Sequence, residues 1–451
     1  MRNAYLERVA NRVLGKKGTS YGIEAKFLTP SGVARGYSVV ELTTAKDFVG
    51  KFTSDITIQV MVAMLDYRYK LFQHRDNLKV IVSFMPLDAG SNIYLSSVPV
   101  IERTYRALLL DNDDLSNAPG SKLTSKKEST AKDENVLVRL QLVEPYSEAM
   151  AYKQAQGTFR YTDNENILRG YLAEMIRREK EVNTDIADMR LEVAELSEVI
   201  DNRDAITIPA DVKLTAVPKF LQEREGGLYS HGLGSFIDWD TWWIYPVFDT
   251  TRFVKTTDRL KIIQLADYSA PVTDNTWEYI DGELTIVCTT ASKMQDLSVS
   301  NQVNDGTGTR FIKASEMFQN SAQGDPNKEH LNTESIMAEF QVGQREDGNN
   351  IARYSSSMIT DNIANEYSKI AWRQGQIFIT IWQRSMIQMI TPGMPVRVYM
   401  DKDGTLLQYD GIVINVQEQW ASEKEGMIDK NMISSAAVTC FLNKEPNGGR
   451  V

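Results

Sequence analysis

Residues 56–62 read ITIQVMV, and this stretch decides the class of the fold. Its branched apolar residues stand at every second position: Ile56, Ile58, Val60 and Val62. A period of two is typical of a β-strand with one buried face. After a short connector, residues 78–84 read LKVIVSF and continue the pattern with Val80 and Val82. The sequence therefore predicts a β module that begins near Thr19 and extends to about Val143.

A second β module with the same order is predicted near the C-terminus. Residues 377–382 read IFITIW, in which Ile377, Ile379 and Ile381 alternate with Phe378 and Thr380. After another connector, residues 396–400 read VRVYM, with Val396 and Val398 in alternation. The DKDG that follows at 401–404 predicts a hairpin turn, because glycine adopts the positive φ that closes it. Two diverged copies of one β domain would share this layout.

A different period is found between the two β modules, at residues 168–200. The apolar residues there are separated by alternating steps of four and three, and we predict them as an oligomerisation interface: Leu168, Leu172, Met175, Val182, Ile186, Met189, Val193, Leu196 and Ile200. Only Glu179 interrupts this heptad pattern. At about 1.5 Å per residue the apolar seam would be roughly 50 Å long. It predicts a long helix that pairs with a second copy or with another part of the same chain.

These patterns predict an α+β fold that is mainly β, with two antiparallel β modules separated by a heptad-patterned helical region and a mixed insertion domain. The predicted divisions are an N-terminal amphipathic arm at 1–18, a first β domain at 19–146, a helical region at 147–225, a mixed α/β domain at 226–365 and a second β domain at 366–451. Residues 111–134 are polar and predict a mobile loop or a segment that becomes ordered on binding, and residues 205–225 are interpreted as a linking passage. We expect the arm either to pack on its own or a neighbouring domain, or to dock on a membrane surface or a partner.

Composition limits the classes of function. The net charge of −10 argues against sequence-independent binding to nucleic-acid phosphates, because such binding needs clustered cations. Two cysteines and three histidines form no zinc pattern, and no motif predicts a catalytic site, a metal or a cofactor. No apolar run reaches the ~18 residues of a membrane-spanning helix, and the N-terminus lacks the apolar core of a secretory signal. We therefore expect a soluble protein that is not an enzyme.

One aromatic run is the most site-like feature of the sequence. It contains Trp239, Trp242, Trp243 and Tyr245. Exposed indole and phenol faces stack on sugars, which would suit a glycan-binding or glycan-cleaving protein. Aromatic residues on a strand also fill a core or an interface, and both interpretations stay open here.

Several stretches resemble baseplate hub proteins of contractile-tailed bacteriophages: 56–60 with 78–82, WWIYPVFDTTRF at 242–253, PGMPVRV at 392–398 and GIVINV at 411–416. The resemblance implies a structural virion protein with two tail-tube-like β-barrel or sandwich modules. It implies a homotrimer whose pseudo-sixfold ring joins the hexameric tail tube protein to the threefold central spike protein and seeds tube assembly.

Further partners and a location follow from the same resemblance. Baseplate wedge proteins are additional partners, and DNA passes through the ring without specific binding, which an acidic chain suits. The location is the baseplate of the virion, assembled in the cytoplasm of the host bacterium. The alternatives are a phage-associated glycan-binding or glycan-cleaving tail protein that uses the aromatic run, and a scaffold protein built on the heptads alone.

Overall fold

Strands dominate the computed structural model. It describes residues 3–16, 18–88, 94–95, 100–110, 135–196, 203–224, 227–265, 275–296, 342–344, 350–352, 368, 371–372, 375–386, 389–422 and 432–446. The predicted mobile loop at 111–134 lies outside these residues, as does Ile200 of the heptad stretch.

The described strands are numbered in chain order. The first ten are β1 Thr19–Thr29, β2 Gly32–Arg35, β3 Ser38–Asp47, β4 Asp55–Ala63, β5 Lys79–Asp88, β6 Ile101–Leu109, β7 Asn135–Val143, β8 Gln154–Thr162, β9 Arg190–Val193 and β10 Arg203–Lys213. The others are β11 Leu233–Asp238, β12 Thr241–Pro246, β13 Arg259–Gln264, β14 Trp277–Ile280, β15 Glu283–Cys288, β16 Lys293–Asp296, β17 Val342–Gln344, β18 Asn350–Ala352, β19 Gly375–Gln383, β20 Pro395–Lys402, β21 Thr405–Ser422 and β22 Met432–Asn443.

The described helices are short. The α-helices are α1 Ala4–Leu14, α2 Met64–Asp66, α3 Pro145–Ala151, α4 Asn164–Asn166, α5 Ala173–Val182 and α6 Val217–Arg224. Two π-helical segments, Tyr67–Phe72 and Ile167–Leu172, continue α2 and α4. Single 3₁₀ turns occur at Arg75–Asn77, Thr184–Ile186, Leu214–Ala216 and Arg252–Val254.

Module 1 is a closed ring of eight strands. Its order is β21-β3-β4-β7-β6-β5-β1-β22, and the pairing of β22 with β21 closes it. The alternation read from the sequence is the cause of this architecture, since every second residue of β4, from Ile56 to Val62, and of β7, from Val136 to Leu142, faces one core. Closing a sheet removes its exposed edges, which otherwise pair with other chains.

Module 2 is an open sheet that curls on itself around a second core. Its order is β14-β15-β13-β20-β21-β22-β19-β16. The curl brings β15 against β19, and side chains bridge the gap between the two ends. The Thr380 hydroxyl donates to Oε1 of Gln264 at 2.7 Å, and Nε1 of Trp382 donates to the Thr276 hydroxyl at 3.0 Å. Strand β13 pairs in parallel with β15 and β20, which corrects the prediction of purely antiparallel modules.

A third core lies beside the two modules. It contains α3, the segment from α4 to α5, α6, the β8–β10 pair and the small sheet β11-β12-β9. The interpretation of residues 205–225 as a linking passage is wrong, because they form most of β10 and helix α6. Their apolar residues Ile206, Ile208 and Leu221 are buried in this core.

The N-terminal arm docks on module 2. The buried face of α1 contributes Leu6, Ala10, Val13 and Leu14 to a small core with β13, β15 and Tyr399 of β20. Arg12 and Lys16 each form an ion pair with the buried Glu278. The amphipathic pattern of this arm thus belongs to a helix packed on its own chain, which is one of the two interpretations left open by the sequence.

The structure corrects the prediction of one continuous helix over residues 168–200. Helix α5 ends at Val182, because Asn183 is extended and its side chain accepts a hydrogen bond from the N–H of Asp185 to start a new turn. Four residues beyond that turn, β9 pairs in parallel with β12. Within the described residues, no helix is long and apolar enough to span a membrane.

Candidate functional site: the junction of the two modules

Two long strands are shared by both modules. Strand β21 pairs with β20 through Thr405–Ile412 and then with β3 through Asn415–Ala421. The change of partner coincides with a register shift between Val413 and Asn415 in its pairing with β22. The carbonyl at the shift, that of Ile414, accepts the N–H of Phe48 at 3.0 Å. A bulge of this kind bends a strand, and here it lets one hairpin leave module 2 and enter module 1.

Gly411 sets the closest approach at this junction. It lies between Val396 of β20 and Leu442 of β22. A Cβ placed on it would lie 1.9 Å from the carbonyl oxygen of Phe441, which is far inside van der Waals contact. Only glycine allows the three strands to meet at this point.

The aromatic run fills the space between the modules and the third core. Tyr245 is buried, and its hydroxyl donates to the carbonyl of Phe48 at 3.2 Å. Phe48 in turn packs edge-on against Phe236. Gly393 has φ +70, and a Cβ there would lie 2.4 Å from the ring of Tyr245. The loop after β3 is thereby fixed on strands β11 and β12.

A buried ionic cluster joins module 1 to the third core. The Lys46 ammonium on β3 lies 2.7 Å from Oδ1 of Asp238, at the end of β11. Arg103 on β6 is also buried, and its guanidinium carbon lies 4.6 Å from the ring centre of Trp239. The two other members, Glu144 after β7 and Glu418 on β21, are buried as well. We call these five residues, Lys46, Arg103, Glu144, Asp238 and Glu418, the junction cluster.

The junction cluster contains more negative than positive groups. The pKa of Glu144 is raised to about 7, first by burial and then by the charge of Asp238, against the lowering effects of Lys46 and Arg103. Burial likewise raises the pKa of Glu418 to about 7, with Lys46 lowering it and Asp238 raising it. Three carboxyls face two cations, so protonation of one glutamic acid would balance the charges. The cluster is therefore poised to change its charge near neutral pH.

The geometry of the cluster suits a fastening role rather than chemistry on a substrate. Lys46, Arg103, Glu144 and Glu418 line a cavity of about 20 Å³, which holds roughly one water molecule. Oε2 of Glu144 has no hydrogen-bond partner among the described residues, so a water in this cavity would donate a hydrogen bond to it. The part of the chain that the structure describes contains no group of three or more His, Cys, Asp or Glu able to hold a metal.

A larger groove lies outside the cluster, where module 1 meets the third core. Its volume is about 480 Å³, and Tyr105, Tyr146 and Trp239 form its aromatic wall. Lys79 binds Asp185 across it at 2.8 Å, and Arg106 binds Glu148. The Lys79–Asp185 pair is solvent-exposed and contributes about 0–1 kcal/mol, whereas the Arg106–Glu148 pair is partly buried. The groove walls are held together mainly by the apolar core behind them.

The predicted heptad residues are located within one subunit. Leu168, Leu172, Ile186 and Met189 are buried in the third core, and Met175, Val193 and Leu196 pack against it. Val182 is 83% exposed, since it lies at the end of α5 on the side away from this core. Glu179, the interruption in the pattern, accepts an ion pair from Lys153. The described seam residues therefore pack intramolecularly, apart from Val182.

The predicted strand residues are divided between the modules. Ile56, Ile58, Val60, Val80 and Val82 are buried in module 1, and Val396 and Val398 are buried in module 2. On β19 the opposite face is the buried one: Phe378, Thr380 and Trp382 point inward, whereas Ile377, Ile379 and Ile381 are half-buried or exposed. The alternation was correct there, but the bulkier aromatic residues take the core.

The tryptophans do not form an open sugar platform. Trp242 is buried, with Nε1 donating to the hydroxyl of Ser235 at 3.0 Å, and Tyr245 is buried as described above. Trp239 and Trp243 are half-buried and pack against the cores. Since stacking on a sugar needs an accessible ring face, the glycan interpretation is wrong for Trp242 and Tyr245.

Sequence reasoning missed the junction cluster. A signal was present in β21, where Glu418 stands between Val416 and Trp420 at every-second-residue spacing, and all three are buried. A carboxylate on the apolar face of a strand needs a buried partner. The identity of that partner was not visible locally, because Lys46 lies more than three hundred residues away in the sequence.

No family model matches the sequence, and no curated protein matches it. Similar solved structures include a chain of the Francisella PdpA–VgrG complex, at 9% identity and a TM-score of 0.41; the match covers 99% of this chain and 62% of that one. This chain thus spans less than two thirds of that chain's length.

Another similar structure is the 43 kDa tail protein of prophage MuSo2 from Shewanella oneidensis, at 10% identity and a TM-score of 0.43, with 92% and 96% of the two chains covered. A third is the baseplate of the p2 virion in its activated conformation, at 11% identity and a TM-score of 0.30, with 92% and 98% covered. Two of these are phage tail and baseplate structures. At such identities and TM-scores the likeness carries no conclusion, so the function has to be argued from the geometry of the chain itself.

Proposed function

We propose that this chain is a structural virion protein, a subunit of a baseplate hub with no catalytic role. Three copies would place six β modules in a pseudo-sixfold ring. One face of the ring would receive the hexameric tail tube and seed its assembly, and the other would receive the threefold central spike. The location would be the phage baseplate, with wedge proteins as further neighbours.

One observation carries this proposal: β21 and β22 are members of both modules. Two modules joined by a flexible linker would adopt many relative orientations. Two modules that share a hydrogen-bonded hairpin keep one orientation, as a subunit must if three copies are to imitate six.

The junction supports the same role. The Lys46–Asp238 pair, the Phe48–Tyr245 hydrogen bond and the ring of Tyr245 against Gly393 each tie elements of different cores together. A pore subunit that transmits force between tube and spike needs such fastening. The net charge of −10 suits a channel through which DNA passes without adhering.

Co-expression tests the proposal. The full-length chain is produced alone and together with the tail tube and spike proteins encoded in the same genome, and the complexes are weighed by native mass spectrometry. We expect a species of three chains, each of 51.0 kDa, alone or bound to a partner. A chain that remains monomeric in the presence of both partners would contradict the proposal.

A further inference from the structure

We propose that neighbouring copies of this chain join through two unlike surfaces, a basic aromatic patch on module 1 and an acidic edge on module 2. The basic patch consists of Leu65, Arg68, Tyr69, Phe72 and Arg75. The acidic edge consists of Asp258, Tyr279, Ile280 and Asp281. This inference rests on the proposed ring and states which surfaces form its contacts.

The basic patch lies on the exposed side of a short helical segment whose buried side packs into the core of module 1. Leu71 is buried in the core of module 1 and anchors the segment. On its outer side Leu65, Tyr69 and Phe72 are 45%, 60% and 48% exposed, and Arg68 is exposed between them. All four belong to the short helical segment at 64–72.

The composition of this patch is that of a protein interface. Arg75 lies with its guanidinium carbon 5.0 Å from the ring centre of Phe72, so charge and ring form one unit. Tyrosine, phenylalanine and arginine are enriched at the centres of interfaces and carry much of the binding energy there. Single exposed apolar residues are ordinary, but three on one short helical segment, with two arginines beside them, have the composition of an interface.

The acidic edge lies at one end of the sheet of module 2. Among the described strands, β14 pairs with β15 alone. Tyr279 and Ile280 are both 51% exposed although they point to opposite faces of the strand. An edge strand with exposed apolar side chains is a surface prepared for pairing.

Two carboxylates accompany this edge. Asp281 and Gly282 form the turn after β14, and a Cβ on Gly282 would lie 3.2 Å from Oδ1 of Asp258, so the turn contacts that residue. Asp258 and Asp281 are both exposed. The nearby cations are in ion pairs: Arg259 and Lys261 with Glu283 at 2.8 and 2.5 Å, and Arg12 and Lys16 with the buried Glu278 on β14 itself. The edge therefore presents two carboxylates beside apolar side chains.

Charge complementarity indicates that the basic patch of one copy binds the acidic edge of a second copy. A symmetric contact of the basic patch with itself would place arginine against arginine, and the acidic edge would likewise repel itself. Contact between unlike patches is attractive at both ends of every copy. Such heterologous contacts build rings when the rotation closes, and they would alternate module 1 and module 2 around the ring.

Charge reversal tests the inference on the full-length chain. We compare the native protein with Arg68→Asp plus Arg75→Asp, with Asp258→Arg plus Asp281→Arg, and with all four changes together. The matched control is Arg178→Asp plus Lys219→Asp, two cations on exposed helix surfaces elsewhere. Circular dichroism and thermal unfolding confirm that every variant is folded, which the surface positions favour.

Each two-residue reversal should weaken trimer formation by about tenfold or more, measured by sedimentation under the conditions in which the native chain assembles. The four-residue variant should restore the trimer, because both charges of each contact are exchanged. If the native chain forms trimers and the reversals behave like the control, the inference is wrong and the proposed function stands. If the native chain forms no trimer with tube and spike partners, the proposed function fails and the inference fails with it.

Discussion

The ammonium of Lys46 and the carboxylate of Asp238 lie 2.7 Å apart, with their side chains only 4% and 6% exposed. This pair joins β3 of module 1 to β11 of the third core. Removing one member of a buried ion pair typically costs about 3–5 kcal/mol of unfolding free energy. Removing Lys46 should cost more unfolding free energy than removing Asp238, because the junction cluster holds three carboxyls and two cations.

We therefore expect Lys46→Met to lower the free energy of unfolding by about 3–5 kcal/mol, since three carboxyls would then face Arg103 alone. Asp238→Asn should cost clearly less, because two cations and two glutamates remain. Urea denaturation at pH 8 measures both. Equal losses for the two variants, or no loss for Lys46→Met, would contradict this description of the cluster.

Glu418 should make the stability of the chain depend on pH. Its pKa in the folded chain is about 7, against an ordinary value of 4.5. Between these values the folded state binds the proton and the unfolded state does not. The contribution to stability is therefore greatest below pH 4.5, falls by about 1.4 kcal/mol per pH unit as pH rises, and levels off above pH 7.

Glu418→Gln removes this titration while keeping the shape of the protonated side chain. Relative to the native chain, the variant should gain stability at pH 8 and lose that advantage near pH 5, as read from thermal midpoints at the two values. Glu192→Gln on β9, an exposed position, serves as the control and should show no such trend. A pH-independent difference between Glu418→Gln and the native chain would show that Glu418 is not the titrating group.

Gly411→Ala should loosen the shared hairpin. The added methyl would meet the Phe441 carbonyl at 1.9 Å, so β21 and β22 must separate. Overpacking of this kind costs about 1–3 kcal/mol. Gly170→Ala is the matched control: a Cβ there meets nothing within 4 Å, and alanine favours a helix by about 0.5–1 kcal/mol. If the two variants have equal melting temperatures, Gly411 does not set the strand spacing.

Ile186→Asp tests the corrected position of the heptad residues. Ile186 is fully buried in the third core, whereas Val182, only four residues earlier, is 83% exposed. A charge at Ile186 should therefore unfold the third core. Val182→Asp should leave the fold and the mass of the oligomer unchanged. Circular dichroism and sedimentation distinguish this from the coiled-coil interpretation. Dissociation of a folded oligomer by either variant would restore that interpretation.

Local pattern was sufficient for the strands with the clearest alternation. The alternation at 56–62 and 396–400 lies within β4 and β20, and the turn at 401–404 has Asp403 at φ +55 and Gly404 at φ +84. The heptad failed because spacing alone does not register Asn183, whose extended backbone ends the helix. Pairing of β9 with β12 then outweighed helical spacing, as tertiary contacts often do.

The junction of the two modules could not be predicted from local sequence patterns. That β21 would change partners from β20 to β3 depends on contacts between residues nearly four hundred positions apart, such as Gln419 with Thr43. Periodicity reports which face of a strand is buried, and it carries no information about the neighbouring strand. The same holds for Lys46 and Glu418, whose sequence context signals only that a buried partner exists. The domain limits drawn from the sequence remain predictions.

In the proposed assembly, three copies of this two-module chain form one ring with six similar positions. Electron microscopy of the full-length chain, purified with its tube and spike partners, measures this most directly. We predict end-on class averages with six β-rich densities around an open channel, alternating between two kinds. A particle with a different number of such densities, or with no channel, would contradict the proposed ring of three copies.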